Sequence, residues 1–108
     1  MNDDTLISTN PVQLRAAASS AVSTLKLLAN EDRLLLLCQL TQGEHCVSEL
    51  EALLNIRQPT LSQQLSVLRQ EGLVNTRRQG KHIFYSVADA NTLAILQLLY
   101  QLYCPKGD

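Results

Sequence analysis

Apolar and polar positions alternate along the chain in patterns that predict five helices and two short strands. Leu14, Ala18, Ala21, Leu25 and Leu28 recur at intervals of four and three, the period of one helix face. Asn10-Pro11 opens that helix with a capping side chain and a residue that has no N–H to satisfy. Asn30 caps a second helix, with Glu31 and Asp32 in its first turn, where the helix dipole favours acids. Its body from Leu34 to Leu40 is almost wholly apolar, and Gly43 is expected to close it. Ser48 with Glu51 reads as a capping box opening a short helix with Leu50, Leu53 and Leu54 inward. Pro59 begins the next helix, which runs to Glu71 and stops at Gly72. Two short helices joined by so tight a break form a helix-turn-helix. Residues 73–77 and 82–87 read as strands around a turn at 78–81. Asp89 caps a last helix that reaches Cys104 and is ended by Pro105.

The fold class this predicts is mostly α with a small β-hairpin wing, a winged helix-turn-helix. Residues 1–9, polar and without period, read as a flexible N-terminal tail, and 10–108 as a single DNA-binding and dimerisation domain. The chain of 108 residues is 45% hydrophobic and 18% charged, which fits one globular domain and excludes intrinsic disorder. No apolar run reaches membrane-spanning length, and the acidic start lacks the features of a signal peptide, so a cytoplasmic protein is expected.

Net charge is −1, but its distribution is uneven. Arg57, Arg69, Arg77, Arg78 and Lys81 share the segment from 57 to 82 with one acid, Glu71, while the rest of the chain holds four basic and nine acidic residues. A cationic patch on an acidic body suits a polyanionic partner. The helix beginning at Pro59 buries Leu61, Leu65 and Leu68 on one side. Its other side presents Thr60, Ser62, Gln63, Ser66 and Val67, with Gln58 just ahead, and carries no charge. Neutral donors and acceptors with methyl-bearing Thr and Val suit base edges in a major groove, whereas a merely solvated face usually carries Lys and Glu. The hairpin adds Arg77, Arg78, Lys81 and His82, placed to grip phosphate. Double-stranded DNA is therefore the expected partner.

From Ala90 to Cys104, 11 of 15 residues are apolar or aromatic. A helix apolar all round must be covered all round, and one small domain covers one side. A homodimer through the first and last helices follows. Two-fold pairing sets two reading helices about 34 Å apart and predicts an inverted-repeat operator.

The three cysteines, Cys38, Cys46 and Cys104, fit neither a disulfide framework nor a zinc pattern. Cys38 in an apolar helix reads equally well as a buried space-filler. The two histidines, His45 and His82, stand apart, so no metal site is expected. There is no Ser/His/Asp set and no phosphate-cradling loop, so neither an enzyme nor a cofactor is expected.

Leu28-Ala-Asn-Glu-Asp-Arg33, Gln58-Pro-Thr-Leu-Ser-Gln-Gln-Leu65, Leu68-Arg-Gln-Glu-Gly-Leu-Val74 and Arg77-Arg-Gln-Gly-Lys-His-Ile-Phe-Tyr85 together resemble the ArsR/SmtB family of winged-helix, homodimeric bacterial repressors. Leu36-Leu-Cys-Gln-Leu40 and Leu99-Tyr-Gln-Leu-Tyr-Cys104 resemble its sulfide- and persulfide-responsive branch, the BigR, SqrR and HlyU group. The resemblance implies that Cys38 and Cys104 are a redox-sensing pair. A small persulfide or polysulfide inducer would join them by a di- or polysulfide and release operator DNA. Cys46 has no counterpart in that pattern. The alternatives are a metal-responsive member of the family and a HlyU-like regulator without cysteine sensing.

Overall fold

The computed structural model describes residues 10–105, so the expected N-terminal tail lies outside the described residues. Helix α1 (Pro11–Leu28) starts where Asn10 Oδ1 accepts hydrogen bonds from the Val12 and Gln13 N–H groups at 2.9 and 3.3 Å. Of its residues only Leu28 is buried, so the seam of Leu14, Ala18, Ala21 and Leu25 is exposed among the described residues. Helix α2 (Glu31–Leu40) begins with Asn30 Oδ1 accepting from the Arg33 N–H at 3.0 Å. It ends at Leu40 rather than running on to Gly43. Thr41 closes the last turn, its hydroxyl donating to the Cys38 carbonyl at 2.6 Å, and Gly43 then turns the chain at φ 142°.

Strand β1 (His45–Cys46) and helix α3 (Val47–Leu54) correct the sequence reading of this segment. The cap of α3 is Cys46, not Ser48. Its N–H donates to Glu49 Oε1 at 3.2 Å, so the acid three positions on is Glu49 rather than Glu51. Leu50 is buried and Leu54 half-buried as expected, but Leu53 faces solvent. Asn55 in the left-handed region (φ 57°) breaks the chain before helix α4 (Gln58–Gln70), where Pro59 occupies the second position instead of the first.

Beyond Gly72 at φ 80°, strands β2 (Val74–Gln79) and β3 (His82–Val87) pair antiparallel from Val74↔Val87 to Gln79↔His82. The turn is therefore Gly80-Lys81 alone, with Gly80 at φ 61°, so the wing is longer than expected by two residues of β2. β1 adds to the other edge of β3, giving the order β1-β3-β2. Helix α5 (Ala90–Tyr103) starts on Asp89 Oδ2, which accepts from the Thr92 N–H and hydroxyl at 2.9 and 2.8 Å.

Leu36, Leu37 and Leu40 of α2 meet Leu50 of α3, Leu61, Leu65 and Leu68 of α4, and Leu96 of α5 in one core. Tyr85 packs against that core from the sheet. Five helices around one leucine core, with a three-stranded wing, constitute a winged helix-turn-helix.

Candidate functional site

The buried leucines of α4 fix which side of that helix faces outward. Ser62, Gln63 and Ser66 are exposed, while Thr60 and Val67 lie half-buried at the margins of the face. Gln58 is exposed, but its Nε2 donates to Glu51 Oε1 at 2.9 Å and so braces α4 against α3 across the turn. Arg57 at the cap and Arg69 in the last turn, both exposed, add positive charge at either end of the helix. At 13 residues, α4 is about 20 Å long, enough to lie in a major groove.

The wing divides its basic residues. Arg78, Lys81 and His82 are exposed. Arg77 is exposed as well, but its guanidinium is already engaged by the protein. Its guanidinium pairs with Glu44, its Nε lying 3.1 and 3.2 Å from the two carboxylate oxygens, and Nη1 donates to Gln79 Oε1 at 2.8 Å. The same group lies 5.0 Å from the centre of the Phe84 ring, its cross-strand neighbour. Charge-assisted bonds to Arg77 hold the Glu44 carboxyl below its ordinary range. The pair with Glu44 braces the wing, while Arg77 stays exposed on the same hairpin as Arg78, Lys81 and His82. The Glu44 partner, 33 positions away, had no signal in the sequence. His82 meets Phe84 edge-on at 6.4 Å.

His45 Nδ1 lies 3.3 Å from Glu49 Oε1, and its Nε2 is buried without a hydrogen-bond partner. The Cys46 N–H, and then His45, hold the Glu49 carboxyl below its usual range. Among the described residues no three His, Cys, Asp or Glu side chains gather in a geometry that could hold a metal ion.

All three cysteines are free thiols. Cys46 is buried, its Sγ 3.2 Å from Ser48 Oγ. Cys38 and Cys104 line a single cleft of about 440 Å³ between α2 and the end of α5, together with Leu34, Leu35, Leu99, Tyr100, Tyr103 and Glu31. Cys38 is half-buried and Cys104 exposed. Burial pushes the Cys38 thiol above its ordinary range, and the nearby sulfur of Cys104 raises it further, since two thiolates repel. α5 leaves Leu98, Tyr100, Leu102 and Tyr103 exposed, the two tyrosines on the cleft itself, and α1 leaves Val12, Leu14, Val22 and Leu25 exposed.

A helix-turn-helix with a wing beside it defines a class of DNA-reading regulators, and residues 30–76 match the bacterial regulatory protein, arsR family. The chain belongs to that family, as a transcriptional regulator. Among its relatives, the biofilm growth-associated repressor of Agrobacterium fabrum is 52% identical over 87 residues, covering 81% of this chain and 74% of that protein. The structure of reduced HlyU from Vibrio cholerae superposes with a TM-score of 0.83 at 41% identity, over 86% of this chain and 98% of that one. The repressor BigR from Xylella fastidiosa superposes at 0.81 with 42% identity, over 89% and 97%.

Proposed function

We propose that the protein is a homodimeric repressor acting in the cytoplasm, and that reactive sulfur species release it from an inverted-repeat operator by joining Cys38 to Cys104. One observation carries this reading: two thiols far apart in sequence line one cleft between the second and last helices. The relatives named as repressors support the direction of control.

In this reading Ser62, Gln63 and Ser66, with Thr60 and Val67 at the margins, meet base edges. Arg78, Lys81 and His82 hold phosphates. Gln58 and Arg77 position the reading elements, and reach DNA only by exchanging Glu51 or Glu44 for it. The exposed leucines of α1 and α5 are covered by a second copy, so the seam of the dimer and the cleft share α5.

The exposed Cys104 is the thiol an incoming donor meets. Its thiolate attacks the terminal sulfur of a persulfide RSSH, forming Cys104–SSH and releasing RSH. Cys38, kept protonated by its burial, then loses its proton and attacks the Cys104 sulfur, expelling hydrosulfide and leaving a disulfide. Where both thiols carry persulfides, the terminal sulfur of one attacks the inner sulfur of the other, and a trisulfide forms with loss of hydrosulfide. A longer bridge spans gaps that a direct disulfide, with Cα atoms within about 7 Å, does not. Either bridge ties α5 to α2 and shifts the dimer seam. A coupling of about 1–3 kcal/mol then weakens DNA binding 5- to 150-fold.

The test uses a duplex selected by the reduced protein from a random library. Persulfide treatment is expected to release wild type from that duplex and to leave Cys38→Ser and Cys104→Ser bound. Variants that respond as wild type does would refute the sensor.

A further inference from the structure

The thiol cleft has a chemical bias in its walls. Leucine side chains and the Tyr100 and Tyr103 rings form its surface, and Glu31 is its single charged lining residue among the described residues. Glu31 stands in the first turn of α2, is exposed, and forms no ion pair with any described basic residue. Among the described residues no Lys or Arg lines the cleft to offset that carboxylate. A volume of about 440 Å³ holds one small ligand rather than a peptide. Apolar walls gain by removing an apolar group from water, and an unpaired carboxylate at the mouth disfavours an anion.

We propose that the cleft selects uncharged, apolar sulfur donors, with neutral organic trisulfides RSSSR as the class, over anionic donors such as glutathione-based ones. The proposal rests on the sensor reading above and names its preferred substrate. The Cys104 thiolate attacks the central sulfur, forming the mixed trisulfide Cys104–SSSR, its first sulfur the cysteine's own, and expelling RS⁻, which takes up a proton. The Cys38 thiolate attacks that same sulfane sulfur, breaking its bond to the remaining SR group and expelling a second RS⁻. Two protein thiols and one RSSSR thus give a Cys38–S–Cys104 trisulfide and two RSH. The trisulfide donor is the oxidant, and the apolar R groups occupy the cleft while each bond is exchanged.

The experiment treats the reduced full chain with diallyl trisulfide or with glutathione trisulfide and follows bridge formation by intact mass. Each rate is divided by the same donor's rate with free N-acetylcysteine, which removes intrinsic reactivity. The diallyl donor is expected to lead by about fivefold, a gap narrowed at high salt. Glu31→Gln and Glu31→Lys are expected to speed the glutathione donor about two- and fivefold relative to the diallyl donor measured on the same variant. Glu31→Gln guards against a loss of folding from lysine at a helix start. Equal normalised rates with the bridge still forming, or Glu31 variants that move both donors alike, overturn the selectivity and leave the sensor standing. Failure of both donors to bridge Cys38 and Cys104, with thiols that react once the protein is denatured, overturns the sensor reading and this proposal with it.

Discussion

Replacing Arg33 by Met tests how α2, the end of α1 and α4 are held together. Helix α1 ends with four carbonyls that lack a partner of their own within the helix. The Leu25 carbonyl accepts from the Ala29 N–H, and the Leu28 carbonyl from the Asn30 N–H. The other two are taken by Arg33: Nε donates to the Leu27 carbonyl at 2.7 Å and Nη2 to the Lys26 carbonyl at 3.3 Å. Nη1 donates to Gln64 Oε1 at 3.0 Å, reaching from α2 to α4. Hydrogen bonds from a charged donor contribute about 1.5–3 kcal/mol each when buried. Arg33 is half-buried, so water replaces part of each, and the outermost contact is worth little. The expected loss for Arg33→Met is about 2 kcal/mol, read from urea unfolding at fixed protein concentration. Arg33→Lys restores less than half, because an ammonium lacks the planar fork that serves three acceptors. A double-mutant cycle with Gln64→Ala should give a coupling of about 0.5–1 kcal/mol. A loss below about 0.5 kcal/mol for Arg33→Met, or full rescue by Lys, would refute the bracing argument.

Three further outcomes follow from the same coordinates. Leu36 has no exposed surface, so Leu36→Ala should cost about 3 kcal/mol in denaturant unfolding. Lys81→Ala should weaken binding to all duplexes alike and lower the salt slope of log affinity by about one; Arg77→Ala should change that slope less, since Glu44 already holds its charge. The Asp89 carboxyl is held below its ordinary range by the Thr92 hydroxyl and N–H, so its cap is fully present above the unfolded-state pKa and is lost as pH falls through the lower folded-state value. Asp89→Ala should therefore cost about 1 kcal/mol at neutral pH and almost nothing well below pH 4, in unfolding measured across that range.

The helix starts at Asn10, Asn30 and Asp89 were legible because a capping residue and the period that follows it are both local. The break ahead of Pro59 and the leucine side of α4 were legible for the same reason. β1 was not: two residues, His45 and Cys46, carry no period, and their pairing with Tyr85 and Phe84 is a long-range event. Its presence sets Cys46 as the cap of α3, where a thiol is an unusual capping group, and so the stronger cap signal at Ser48 misled. The turn residues of the wing were evident, but Gly80-Lys81 suffices to reverse the chain and lets Arg78 and Gln79 continue the ladder. The exposed, uncharged side of α4 was legible in composition, whereas the engagement of Gln58 with Glu51 and of Arg77 with Glu44 depends on tertiary contacts that a single chain of letters does not display.

The most direct test of the central claim is peptide mapping of the reduced protein after exposure to glutathione persulfide. Cleavage after glutamate separates the three thiols, since Glu44 lies between Cys38 and Cys46 and Glu71 lies ahead of Cys104. The account predicts one dominant cross-link, joining the Cys38 peptide to the Cys104 peptide through two or more sulfur atoms, with Cys46 left as a free thiol. A cross-link through Cys46, or persulfides on Cys38 and Cys104 that never join, would contradict it.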